Sequence, residues 1–145
     1  MLLAMHDPDP RHGVLELREE PEGILYVSVH GDLSVGIACS IAEASQRIAG
    51  SGREVLVLAD VRRMNAIPHD VRKLMASGTL RARHDAVAIV GASFAVRVVA
   101  TLTSRSLSLL TSRSYPFDFF ATEAEARAWL LAQREPIRAR QPPAA

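Results

Sequence analysis

The chain predicts a single α/β domain built on a mixed, mostly parallel β-sheet of about five strands with about four helices, in the order β-β-α-β-α-β-α-β-α. Three observations lead there. Short strand-like runs alternate with helical periodicities, with few residues between them. Val55–Ala59 and Ala86–Val90 are continuous apolar runs, the pattern of strands buried on both faces of a parallel sheet. The length, 145 residues, suits one domain, which at this size buries roughly two-thirds of its unfolded surface.

Residues 1–12, with Pro8 and Pro10 beside Asp7 and Asp9, read as a flexible leader, and 13–134 as the domain. Val14–Arg18 and Ile24–His30 are strands, joined across Glu19–Gly23 as an antiparallel hairpin. A first helix runs from about Ser34 to Ala49, with Leu33, Ile37, Ile41, Ala44 and Ile48 as its buried stripe, Asp32 or Ser34 as its cap and Gly50 as its stop. After the strand at Val55–Ala59, Pro68 suits the first position of a second helix through about Arg83, with Val71, Leu74, Met75 and Ala82 inward. Ala86–Val90 is the next strand. A third helix runs from about Phe94 to Leu110. Tyr115–Phe120 is the last strand, and Pro116 puts it at an edge or a strand start. Thr122-Glu123-Ala124-Glu125 is a capping box that opens the fourth helix, with Ala126, Trp129 and Leu130 toward the sheet. Residues 135–145, with Pro136, Pro142 and Pro143, read as a flexible tail.

Composition excludes several function classes. Net charge is +1, with Lys73 the only lysine, which gives no global case for nucleic acid. Cys39 is the only cysteine, so an internal disulfide and a multi-cysteine zinc site are excluded; among Ile37, Ala38 and Ile41 it reads as buried filler. The opening Met1–Met5 is too short for a signal-peptide core, and no run reaches the ~18 apolar residues of a transmembrane segment. The expectation is a cytoplasmic protein.

The candidate chemistry is thin. Gly91-Ala92-Ser93-Phe94-Ala95 follows a strand and opens a helix, the setting of a hydrolase nucleophile elbow. Its second glycine is replaced by Ala95, and the last histidine, His84, precedes the serine where that family needs one after it. Ser93 therefore reads as a helix cap. None of His6, His12, His30, His69 and His84 has metal-ligand spacing. His30, His69, Asp60 and Asp70 could meet at the carboxyl edge of the sheet as an acid–base unit; the plainer reading is that Asp60 and Asp70 cap helix starts. Gly50-Ser51-Gly52 precedes a strand, whereas phosphate loops precede a helix. No catalytic residue, metal site or cofactor is expected.

Two surfaces stand out instead. Residues 61–84 carry Arg62, Arg63, Arg72, Lys73, Arg81 and Arg83 against Asp70 alone, a basic face suited to an acidic partner or an anionic membrane, or simply a solvated helix face. No aromatics interleave with it, which speaks against single-stranded nucleic acid. In the third helix, Arg97, Thr101, Ser104, Arg105, Ser108 and Ser112 form a narrow polar stripe and apolar residues fill nearly everything else. That exceeds the ~100° arc of an ordinary surface helix. Phe94, Val98, Val99, Leu102 and Leu109 are its candidates for a homodimer face, an apolar ligand pocket or a shallow membrane contact, unless the fourth helix and tail cover them.

The element order, with Leu58-Ala59-Asp60, Val87-Ala88-Ile89-Val90-Gly91 and, most specifically, Phe119-Phe120-Ala121-Thr122-Glu123-Ala124-Glu125-Ala126-Arg127-Ala128-Trp129-Leu130, resembles the small bacterial STAS/SEC14-like proteins, relatives of anti-sigma-factor antagonists, over roughly residues 14–133. The resemblance implies a mixed sheet flanked by helices and a non-enzymatic role through a protein partner or homodimer, or, on the SEC14 side, carriage of a small apolar or lipid ligand. Antagonists of this kind carry a phosphorylated serine after the central strand. Here that stretch is Met64-Asn65-Ala66-Ile67-Pro68, with Ala66 near the acceptor's place, so the switch is expected to be missing. The interaction surface would comprise Asp60, Arg62, Arg63, Met64, Asn65, Ala66, Arg72 and Lys73.

Overall fold

In the computed structural model, which describes residues 2–6, 13–111 and 115–140, six strands form one sheet. They are β1 (Leu2–His6), β2 (Val14–Glu19), β3 (Ile24–His30), β4 (Leu56–Asp60), β5 (Ala86–Val90) and β6 (Phe117–Phe120), side by side in chain order. β1, β2 and β3 pair antiparallel; β3 through β6 pair parallel. The three parallel steps are bridged by α1 (Val35–Gly50), α2 (His69–Ser77) and α3 (Phe94–Thr111), and α4 (Glu123–Arg140) follows β6.

The apolar runs do what a two-faced burial requires. Side chains alternate along a strand. Leu25, Val27, Val29 and Val57 point to the face covered by α1 and α2, where Ile37, Ala44, Ile48 and Val71 meet them. Ile24, Tyr26, Leu56, Leu58, Ala88 and Val90 point to the other face, where Ala126, Leu130 and Ile137 of α4 close a second core. Ser34 caps α1, its Oγ accepting from the Ile37 amide at 3.1 Å. Thr122 Oγ1 accepts from the Glu125 amide at 3.3 Å, half of the expected capping box. Trp129 packs on Phe120, ring centroids 5.5 Å apart.

Four expectations are corrected. Leu2–His6, read as leader, is a sixth strand beside the about five expected, and pairs with the outer edge of β2, from Leu2 opposite Arg18 to His6 opposite Val14. An open strand edge offers a row of unpaired backbone groups, and this segment satisfies them. The second helix stops at Ser77 because Gly78 takes the left-handed C-cap conformation, φ 76°. Pro68 is its N-cap rather than its first helical residue. The chain beyond residue 134 continues as helix to Arg140 despite Pro136. Buried Ile137 holds that turn to the core, and Arg138 pairs with Glu54.

Candidate functional site

α3 packs beside α2 and leaves a gap over the sheet. Its inward positions, Val96, Val99, Ala100 and Thr103, recur at helical spacing and face Val57, Ala59, Val87 and Ile89 across a cavity of about 180 Å³. Met64, Ile67 and Met75 close its side. Leu33, Ile41, Met75, His84, Thr103 and Tyr115 are walls shared with a wider opening of about 690 Å³. That opening is framed by the loop from Gly78 to Asp85 and by Arg140 at the end of α4. Tyr115 stacks edge-on against His84, centroids 5.6 Å apart, and burial pushes its phenol pKa up.

The loop is held in place from behind. Gln46 Nε2 donates to the Leu80 and Arg81 carbonyls at 2.9 and 3.0 Å, and the Arg83 amide donates to Ser45 Oγ at 3.1 Å. Arg81 sits at φ 53°, a left-handed conformation that side-chain-bearing residues seldom adopt.

A polar network occupies the carboxyl end of β4. Asp60 is 8% exposed. Its Oδ1 accepts from Arg62 N and Nε at 3.1 and 2.9 Å, and its Oδ2 accepts from Arg62 Nη2 at 2.7 Å and Tyr26 Oη at 3.2 Å. The Arg62 guanidinium holds the Asp60 carboxyl below the usual carboxylate range. Burial first, and then the Asp60 charge, pushes the Tyr26 phenol up to about 12. Arg62 also reaches Glu123 at 3.3 Å, and Arg127 joins Glu123 to Glu20, so the network ties the start of α4 to the sheet.

The expected interaction surface therefore divides. Asp60 and Arg62 are bound to each other, and Met64 is a cavity wall. Arg63, Asn65, Ala66, Arg72 and Lys73 are exposed. The turn carrying Arg63, Asn65 and Ala66 is fixed by backbone bonds, Gly31 N to the Arg63 carbonyl, Asn65 N to the Gly31 carbonyl and Leu33 N to the Ala66 carbonyl, at 2.8–3.0 Å, and Arg72 and Lys73 lie on α2. The α3 candidates divide too. Val99 lines the cavity, while Phe94, Val98, Leu102 and Leu109 point outward, with Phe94 83% and Leu109 86% exposed. The rest of the inner face (Val96, Ala100, Thr103) was not singled out from sequence, and of the 78–85 loop only Arg81 and Arg83 were, as part of the basic stretch, and Ala82, as part of the second helix. Their signal was the second apolar seam of α3, offset from the outward one.

Ser93 accepts a hydrogen bond from the Val96 amide at 3.3 Å, the geometry of a cap on α3. Among the described residues no hydrogen bond joins Asp60 to His30 or His69, its oxygens being taken by Arg62 and Tyr26. No cluster of three or more His, Cys, Asp or Glu able to hold a metal occurs among the described residues, and no helix of theirs is long and apolar enough to cross a membrane.

Comparison with known proteins agrees with this architecture. No curated protein matches the chain. A solved structure similar to it is an uncharacterized protein of the DUF3478 family with a SpoIIAA-like fold from Shewanella loihica PV-4. It is 15% identical, covers 87% of this chain and 99% of its own, and has a TM-score of 0.55. A family model described as SpoIIAA-like matches residues 24–131, from the start of β3 into α4. With the family model matching most of its length, the chain belongs to the SpoIIAA-like family.

Proposed function

We propose that this protein is a non-enzymatic STAS/SEC14-type binding module that holds a small apolar ligand between α3 and the sheet. The observation that carries the reading is the cavity itself: α3 stands off a sheet face lined by Val57, Val87 and Ile89, and the gap opens outward past the 78–85 loop. Apolar pockets of a few hundred Å³ with few polar groups are the common form of small-molecule sites. Native mass spectrometry of gently purified protein tests it. A bound species of a few hundred daltons, released by organic solvent, is expected; only the bare chain mass, together with no uptake of added apolar compound, would end the reading.

A second reading, docking of a protein partner or a second copy, is favoured by a different observation. Phe94, Val98, Leu102 and Leu109 present large apolar groups to solvent from one helix. Arg63, Arg72 and Lys73 are exposed at the turn and on α2. The turn at 64–68 carries no hydroxyl, so on this reading docking there runs without a phosphoserine switch. A concentration-dependent sedimentation shift that disappears in Phe94→Ser/Leu102→Ser supports it, and a strict monomer with no partner counts against it.

A further inference from the structure

We propose that the ligand of this cavity is a single-chain amphiphile with an acidic head, its chain under α3 and its head at Arg81, Arg83 and Arg140. The inference rests on the cavity reading above and adds the ligand's chemical class.

The inner part of the cavity is apolar and narrow, about 180 Å³, the space of roughly six water molecules. That takes part of one chain, not two. The opening differs in character: three arginines line it against one carboxylate, Asp85. Asp85 is already engaged, its Oδ2 accepting from the Val55 amide at 2.7 Å. Some arginines elsewhere are neutralised in place, while others, Arg63, Arg72 and Arg97 among them, form no ion pair among the described residues and line neither part of the cavity. Arg18, Arg53, Arg62, Arg127 and Arg138 each lie within salt-bridge distance of a glutamate or aspartate. Arg81, Arg83 and Arg140 have no such partner among the described residues, and all three line the same opening.

Two of them are also carried on backbone that is held, not loose. Gln46 and Ser45 fix the loop at residues 80, 81 and 83. At residue 81 the backbone takes a conformation that glycine would adopt freely, yet the chain places an arginine there. Unneutralised guanidinium groups beside an apolar channel complement a ligand that is anionic at one end and apolar along its length. Guanidinium forks bind carboxylate or phosphate oxygens through paired, charge-assisted hydrogen bonds.

The test uses the full chain, stripped of bound lipid, and the neutral fluorescent probe N-phenyl-1-naphthylamine, displaced by dodecanoate or by 1-dodecanol. Dodecanoate is expected to compete about tenfold or more better than the alcohol, the factor that one charge-assisted hydrogen bond supplies. The margin should shrink as salt is raised. In Arg81→Gln/Arg83→Gln/Arg140→Gln it should vanish while 1-dodecanol binding persists, which also shows that the variant is folded. The single variant Arg83→Gln gives a partial loss and serves if the triple variant does not fold. Equal competition by acid and alcohol, or a margin that survives the triple substitution, overturns this inference and leaves the cavity reading standing. No binding of probe, acid or alcohol overturns both.

Discussion

Replacing Asp60 by asparagine keeps the shape of the side chain and removes its charge. In the native protein the carboxylate is almost wholly buried and accepts four hydrogen bonds, three from Arg62 and one from Tyr26. Asparagine keeps one acceptor oxygen and turns an amide donor toward groups that are themselves donors. A charge-assisted hydrogen bond is worth roughly 1.5–3 kcal/mol net. The Arg62 side chain is half exposed, and solvent there screens the pair, so the lower part of that range applies, about 2 kcal/mol for Asp60→Asn. At roughly 3 °C per kcal/mol for a chain of this length, the melting temperature falls by roughly 6 °C. Urea denaturation of both proteins across a pH series is the assay. Arg62 holds the folded Asp60 pKa below its ordinary value near 3.9. A depressed folded pKa contributes stability that is fully present above the unfolded value and is lost as pH falls through the folded one. The gap between wild type and Asp60→Asn is therefore full near neutrality, narrows below about pH 4 and closes once the carboxyl is protonated. A gap under about 0.5 kcal/mol at neutral pH, or one that does not change in acid, would show that the Asp60 carboxylate does not stabilise the fold through Arg62 and Tyr26.

Two further substitutions probe the same frame. Gly91→Ala places a Cβ 2.1 Å from Arg62 Cγ at a residue whose φ is 72°, so Arg62 must swing away from Asp60. Equilibrium unfolding should show a loss of about 1–3 kcal/mol, largely shared with Asp60→Asn when the two are combined. Leu130→Ala empties a site in the α4 core that is 0% exposed; calorimetry should show a loss of about 2–5 kcal/mol, whereas Leu131→Ala, exposed on the same helix, should stay within about 0.5 kcal/mol.

Much of the fold was legible because its signals are local. The 37–41–44–48 stripe, the Ser34 and Thr122 caps and the two apolar runs each lie within one element and each report that element's own burial. What was not legible depends on partners distant in sequence. Leu2–His6 is too short and too close to Pro8 and Pro10 to announce a strand, and becomes one only because β2 has an open edge. Gly78 ends α2, although apolar residues at helical spacing continue past it to Ala82. Pro136 signals a helix end, but Ile137 has a core position to fill. The site follows the same rule. That α3 is too apolar could be read from its composition. Which seam faces inward could not, because that depends on how α3 lies against α2 and the sheet. Asp60 was noticed as a strand-end carboxylate, while the buried Tyr26 that partners it lies 34 residues earlier.

If the space between α3 and the sheet binds a ligand, filling that space abolishes binding. Ala100 lines the inner part, and Ala100→Trp should occupy it. Titration with N-phenyl-1-naphthylamine is predicted to give saturable one-to-one binding to the wild-type chain and none to the Ala100→Trp variant, whose circular dichroism matches wild type. Equal saturable binding by both proteins, or none by the wild type, would show that this space is not a binding site.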